Sequence, residues 1–350
     1  MLVAYVSGHG FGHATRLCEV LAAVRARAPA LPITLVGTLP ERLVRRAVSA
    51  PLTVRHQQVD VGLVQRDALE FDEAATAAAC RAFEASWEAR VGAEVDFLRG
   101  CGAKAVLGDV PALPFEAAAR AGLPSLALGN FSWDWIYRHL SVRQPSLAGS
   151  AARAAAAYAS VGRLLELPFA AGLEAFPVRE AIGMVARRPR VERAEARRRL
   201  GLDGRPAVLV TFGGIGLPGL SRAELEGDAG LRWLLPDELP DGRLEALGLG
   251  YPDLVGAADA VVTKPGYGIV TDAIGAGTPL VYTERGDFPE YPVMVDELPR
   301  YLACVHVGNA EVRAGRVGGA VRAVLELPMP PPPALDGAER AAARVLEALG

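Results

Sequence analysis

Cysteine is scarce in this chain. Its four copies, Cys18, Cys80, Cys101 and Cys304, are scattered and show no CxxC spacing. A disulfide framework or a structural zinc site is therefore not expected, and free thiols suit a reducing cytoplasm. Long apolar runs are missing too: no uncharged stretch approaches the roughly 20 residues that cross a bilayer. The opening Met1-Leu2-Val3-Ala4-Tyr5-Val6 is too short for a secretory signal and lacks its basic flank, so it reads as a buried strand. A cytoplasmic location is the expectation. An excess of positive charge is also absent. Lys+Arg 37 against Asp+Glu 40 leave a net charge of -3, without the basic domain that nucleic-acid binding demands. Among those cations only Lys104 and Lys264 are lysine. Lysine meets phosphate as a point charge and arginine as a planar fork, so a lysine kept in an Arg-rich chain is of interest as an anion ligand.

What the chain does have is length and apolar content. Its 350 residues, 51% hydrophobic and 22% charged, suit two domains or one large one with a sizeable core. Apolar strand-like runs alternate with Ala-rich amphipathic stretches. Strands are expected near 2–6, 33–36, 52–57, 105–108 and 125–128, with helices near 14–28, 41–48, 71–100 and 114–121. After an Ala-rich helix and a Pro- and Arg-rich segment within 150–200, the alternation restarts. Strands are expected near 207–211, 233–235, 260–263 and 280–282, and helices near 268–275, 293–302 and 317–326. Such alternation implies βαβ units and mainly parallel sheets. The run Pro328-Met329-Pro330-Pro331-Pro332-Pro333 reads as a stiff connector to a last helix over 337–349.

Four motifs carry chemistry. Ser7-Gly8-His9-Gly10-Phe11-Gly12-His13-Ala14-Thr15-Arg16 follows the first strand. Its glycines admit a ligand close to the backbone, and the next helix aims free N–H groups there. It is not a P-loop, and no acid follows the second strand to anchor a dinucleotide ribose. His9 and His13 are candidate general bases; the alternative is a tight turn with buried histidines. Next come Gly108-Asp109-Val110-Pro111 and Asn130-Phe131-Ser132-Trp133-Asp134-Trp135, both at strand ends, where open α/β sheets bind ligands. A tryptophan there suits stacking on a sugar; the alternative is caps and core. Thr211-Phe212-Gly213-Gly214-Ile215-Gly216 is a further Gly-rich loop of the phosphate-cradling kind. The fourth and most specific motif is the strand ending in Thr263-Lys264-Pro265-Gly266-Tyr267-Gly268 and running into Ile269-Val270-Thr271-Asp272. A helix N-terminus at Gly268 favours a diphosphate. Asp272, about one turn in, can accept hydrogen bonds from both ribose hydroxyls, and Lys264 supplies a point charge.

The fourth motif and the two-halves layout resemble GT-B glycosyltransferases of the MurG-like branch. In that branch a carboxylate at the place of Asp272 meets the nucleotide ribose and a histidine stands at the place of His13. The GHGFGHATR, DVP, NFSWD, FGG and GYG-x-x-[ST]-[DE] segments resemble more closely the N-terminal glycosyltransferase-like region of plant L-arabinokinases, across essentially the whole chain. No GHMP-type Pro-x-x-x-Gly-Leu-x-Ser-Ser-Ala loop is present, so kinase activity is not carried over. Lys264-Pro265 departs from the small or polar pair usual in MurG-like enzymes, and no Gln pair follows the strand over 280–282.

The resemblance implies an α/β GT-B fold: two Rossmann-like domains facing across a cleft. The expected division is an acceptor domain over 1–165, a nucleotide-sugar domain over 166–333 and a helix over 334–350 returning to the first. His13, Asp109 or His9 would act as catalyst, with Gly10, Gly12, Arg16, Asn130, Ser132, Trp133 and Asp134 around the acceptor. The nucleotide would lie on Gly213, Gly214, Gly216, Gly250, Tyr251, Lys264, Gly266, Tyr267, Gly268 and Asp272, with Asp287 and Glu290 nearest the sugar. No metal and no resident cofactor is expected, since the nucleotide-sugar, most naturally a UDP-sugar, is a co-substrate. The partners are that donor and a small-molecule acceptor, with inverting transfer. A silent nucleotide-sugar binding module, or an epimerase or hydrolase on the same fold, are the alternatives.

Overall fold

In the computed structural model the described residues are 1–213, 216–220, 222–225, 227–235, 239 and 242–350. They divide into two compact units. The first comprises Met1–Gln65, Phe71–Val185 and Ala334–Gly350, the second Arg66–Glu70 and Ala186–Pro333. The first unit thus runs past residue 165 to Val185.

The first unit holds β1 (Leu2–Val6), α1 (Phe11–Arg27), β2 (Ile33–Gly37), α2 (Glu41–Ala47), β3 (Leu52–His56), α3 (Glu73–Glu84) and α4 (Trp87–Gly100). It continues with β4 (Ala105–Asp109), α5 (Leu113–Ala121), β5 (Ser125–Gly129), α6 (Trp133–Ser141), α7 (Leu147–Tyr158), β6 (Arg163–Glu166) and β7 (Arg179–Ala181). The seven strands form one parallel sheet in the order β3-β2-β1-β4-β5-β6-β7. β1, β2, β4 and β5 are buried at every residue, which is why they read as unbroken apolar runs rather than alternating ones. One core joins Val3 and Tyr5 to Phe83, Trp87, Phe115 and Tyr158.

Two local differences from the sequence expectation have physical causes. The helix expected over 71–100 is broken into α3 and α4, where Ser86 turns its hydroxyl onto the Phe83 carbonyl oxygen and competes with the helical ladder. The Pro- and Arg-rich middle contributes β6 and β7. Both are short, and their charged residues Arg163, Glu166, Arg179 and Glu180 stay exposed or half-exposed; β7 is the edge strand, where such charges are expected.

The second unit holds α8 (Arg193–Arg199), β8 (Ala207–Val210), α9 (Arg222–Leu225), β9 (Arg232–Leu234), α10 (Arg243–Ala246), α11 (Tyr251–Ala257), β10 (Ala260–Thr263) and α12 (Tyr267–Ala276). Then follow β11 (Leu280–Tyr282), α13 (Glu290–Glu297), β12 (Cys304–His306), α14 (Asn309–Arg313) and α15 (Gly318–Leu325). Its parallel sheet runs β12-β11-β10-β8-β9. Leu69, from the 66–70 segment, packs in this core with Val210, Trp233 and Val262, and Asp67 accepts a 2.7 Å hydrogen bond from Arg313.

The chain ends in α16 (Gly337–Leu349), which packs on α1 within the first unit through buried Ala341, Ala342 and Val345. The approach is close at its start. The Gly337 N–H donates to the Met184 carbonyl at 3.2 Å, and a Cβ at Gly337 would overlap the Gly183 carbonyl.

Strand order reverses between β1 and β4 in the first sheet and between β8 and β10 in the second. Those switch points open a crevice beyond the strand ends in a parallel sheet. The Gly-rich and acidic motifs follow these four strands.

Candidate functional site

In the first unit the loop after β1 turns through Gly10 at φ 79, a left-handed conformation that glycine adopts without steric cost. α1 then begins at Phe11, with His13 in its first turn and Arg16 three residues on. That spacing puts both on one helix face, and both reach Asp109 at the end of β4. His13 Nδ1 lies 2.8 Å from Asp109 Oδ1. Arg16 Nε donates to Oδ2 at 2.6 Å and Nη2 to Oδ1 at 2.6 Å, and Nη1 donates to Asn130 Oδ1 at 2.7 Å. Asp109 is fully buried. Burial would raise its carboxyl pKa, but the Arg16 charge and hydrogen bonds, aided by His13, outweigh burial and hold it below the ordinary value.

This network separates the two histidines. With Asp109 anionic, His13 Nδ1 carries the proton and donates it, which leaves Nε2 as the basic nitrogen. His9 is the reverse: its Nδ1 accepts from the Leu63 N–H at 3.2 Å, so in the neutral ring Nε2 holds the proton. His13 Nε2 is thus oriented to accept a proton, and His9 Nε2–H to donate a hydrogen bond.

The remaining first-unit candidates stand behind the loop. Arg16, Asn130, Ser132, Trp133 and Asp134 are all buried. Trp133 lies edge-on to His9, 5.3 Å between ring centres, and stacks on Tyr137. Its faces are taken by protein rather than open to a sugar. The Ser132 hydroxyl bonds Asp134 and the Gly172 carbonyl at the head of α6, and burial raises the Asp134 carboxyl. These groups position the site from beneath. Gly12 lies within the first turn of α1.

A residue missing from the sequence expectation is Asp60. It accepts from the Gly8 N–H at 3.2 Å and from Trp133 Nε1 at 3.1 Å, and burial raises its carboxyl despite those bonds and the Ser7 hydroxyl. Two carboxylates thus flank the His9–His13 loop with pKa values pushed apart, a pattern that separates acid from base roles. The available signal was position: an acid followed by Val61-Gly62, just past the end of β3.

In the second unit the loop after β8 has Gly213 at φ 79 and Gly216 at φ 69; Gly214 lies outside the described residues. After β10, Gly266 caps α12, whose first turn, Tyr267, Gly268 and Ile269, carries the positive end of the helix dipole. Lys264 directly follows β10, two residues before Gly266. Burial, then the neighbouring Arg285 charge, lowers its pKa to about 7, with Asp67 and Glu290 pulling the other way. Glu290 is buried and accepts from Arg285 at 2.7 Å, whereas Asp287 is exposed.

Asp272 is buried and gripped by Arg187 through both carboxylate oxygens, the longer bond at 3.0 Å. Burial raises its carboxyl more than Arg187 lowers it. The same guanidinium lies over the Tyr251 ring, 5.6 Å from its centre, and the Tyr251 hydroxyl meets Thr211 Oγ1 at 2.9 Å. Asp253 fixes the approach, accepting from the Gly250, Arg190 and Val191 N–H groups. The β8 loop, α11 and α12 are thereby tied around Arg187, which the motifs did not reveal.

No family model matches the chain. It is 30% identical to L-arabinokinase of Arabidopsis thaliana over 326 residues, 89% of this chain and 31% of that protein. It therefore spans about a third of that relative's length. Among solved structures, a UDP-glucosyltransferase from Polygonum tinctorium capable of glucosylating indoxyl superposes with a TM-score of 0.59 at 14% identity, over 99% of this chain and 98% of that one. The glycotransferase of kitacinnamycin gives 0.61 at 16%, over 100% and 95%, and the calicheamicin glycosyltransferase CalG4 gives 0.56 at 16%, over 100% and 95%. The chain has the GT-B glycosyltransferase-like fold. Both sheets of this GT-B chain place their Gly-rich loops at their own switch points. No helix among its described residues is long and apolar enough to cross a membrane.

Proposed function

We propose that this GT-B chain transfers a hexosyl or pentosyl group from a nucleotide-diphosphate sugar, a UDP-sugar by preference, to a hydroxyl of a small-molecule acceptor. The observation that carries the proposal is the 2.8 Å contact of His13 Nδ1 with Asp109 at the β1–β4 switch point. His13 Nε2 takes the acceptor's proton, and the hydroxyl oxygen attacks the anomeric carbon with inversion. The bond from that carbon to the phosphate oxygen breaks, and the nucleoside diphosphate leaves. Its charge falls on the first turn of α12, the Gly213 and Gly216 loop and Lys264, with no metal or resident cofactor in the scheme. Asp272 would meet the ribose once Arg187 releases it, with Gly250 and Tyr251 near the base. The fold neighbours support the donor class: one is complexed with UDP-2fluoro-glucose and pterostilbene and another with UDP-glucose. Phosphoryl transfer, the activity in the name of the curated relative, is not part of the proposal.

The test is thermal unfolding with UDP-, GDP-, dTDP- and ADP-sugars, followed by a transfer assay. A donor at 100 times its dissociation constant stabilises by about 2.7 kcal/mol, a shift of several degrees that Asp272→Ala should abolish. No shift with any donor would sink the proposal. The grip of Arg187 on Asp272 favours a second reading, a nucleotide-sugar binding module without turnover. That reading predicts the same shift and no transferred, released or epimerised sugar.

A further inference from the structure

The first unit contains a cavity of about 230 Å³ between the end of β3 and α4, separate from the His13–Asp109 network. It is smaller than the roughly 300–1,000 Å³ of pockets for drug-sized ligands, so its occupant is a single small ring or chain. One wall is polar: Arg55, Gln57 and Gln58 from the β3 end, and Arg90 and Glu94 from α4. The rest of the lining is Val59, Ala89, Ala93 and Leu113, which offer an apolar surface for C–H groups.

The charges decide what fits. Glu94 is 2% exposed and already saturated. It accepts from the Tyr5 hydroxyl at 2.9 Å and from Arg55 Nη1 at 2.6 and 2.8 Å. Arg55 lies over Phe97, 4.2 Å from the ring centre. Arg90 lies over Phe83 at 4.4 Å and is held at Nε by Ser86. Both guanidiniums are thus oriented in advance, which lowers the ordering cost of binding. Two cations against one neutralised acid leave one positive charge for a ligand. Arg55 Nη2, the Arg90 Nη groups and the Gln57 and Gln58 amides make no hydrogen bond among the described residues, and amides both donate and accept, as hydroxyls require.

We infer that this cavity binds a monosaccharide-sized anion, its acidic group on Arg55 and Arg90 and its hydroxyls on Gln57 and Gln58. The shared chemistry is one anionic group on a polyol, supplied by a sugar acid or by a sugar phosphate. The inference stands whether or not the chain is a transferase, because it concerns binding alone.

The experiment is calorimetric titration of the full chain with glucuronate, glucose 6-phosphate, neutral glucose and inorganic phosphate, alongside saturation-transfer NMR. Binding of either sugar anion at least about tenfold tighter than glucose, the scale of one charge-assisted contact, supports the inference and identifies the source. Arg90→Gln and Gln57→Ala should each weaken it about tenfold with an unchanged unfolding midpoint. Should Arg90→Gln fail to fold, Gln58→Ala at an exposed position carries the same expectation. Neither sugar anion binding at millimolar concentration would overturn it. So would glucose or inorganic phosphate binding as tightly as the sugar anions, or affinity unmoved in the folded variants.

Discussion

At Asp109 two basic side chains converge on one buried carboxylate, and the arrangement dictates what each substitution does. Arg16→Met leaves a buried charge uncompensated, which costs about 3–5 kcal/mol. Denaturant unfolding would show that loss, and Arg16→Met with Asp109→Asn should cost less than the two singles summed, because they share one network. The held-down carboxyl makes the contribution pH-dependent. It is complete above the unfolded Asp value of about 3.9 and lost as pH falls through the lower folded value. His13→Ala tests the proposed chemistry. It should cut the transfer rate by about 10²–10⁴ while the lost bond to buried Asp109 costs about 1–3 kcal/mol, and an unchanged rate in the folded variant would remove His13 as base. The sequence showed the histidines, Asp109 and Arg16 as separate candidates. It did not show that Arg16 is held on Asp109, because that depends on burial of a side chain five residues past a helix start, facing a strand end 93 residues away.

β10 and α12 carry the most specific motif of the second unit. Lys264, at their junction, has a pKa lowered to about 7 by burial and then by Arg285. The native chain loses this proton as pH rises through about 7, while the unfolded chain keeps it to about 10.4. Within that window the unfolded state binds more protons, so stability rises with pH, and below it the burial penalty is complete. Lys264→Met should therefore flatten the pH dependence of unfolding between pH 7 and 10, as thermal scans would measure. A UDP-sugar, whose diphosphate does not titrate here, should bind more tightly at pH 6 than at pH 8 in the native chain and show no such preference in Lys264→Met. At this scale the sequence was legible wherever strands are buried on both faces. It was misleading where a local hydroxyl broke a helix at Ser86, and silent for β6 and β7, whose charged residues carry no apolar pattern.

Across the whole molecule the chain returns at its end to the unit where it began. Gly337 shows how close that return is. Its Cβ would meet the Gly183 carbonyl, so Gly337→Ala should cost about 1–3 kcal/mol, the usual penalty of overpacking. Hydrogen exchange in α1 should speed up while the second sheet is unaffected. Equal loosening of both units would contradict the assignment of α16 to the first. The Arg66–Glu70 segment is a second excursion of this kind. Leu69 is an ordinary apolar residue in sequence and a core residue of the second unit in space.

The amino-acid sequence by itself determined the class of fold and the position of the loops. Apolar runs without alternation make parallel strands, and glycines after them make turns that a ligand can approach. Only the tertiary structure decided which groups meet. It joined His13 to Asp109, placed Asp60 against Gly8, closed Arg187 on Asp272 and set Lys264 beside another cation. Strand order and burial are long-range properties, and a side chain's charge and proton depend on neighbours that the local pattern does not specify.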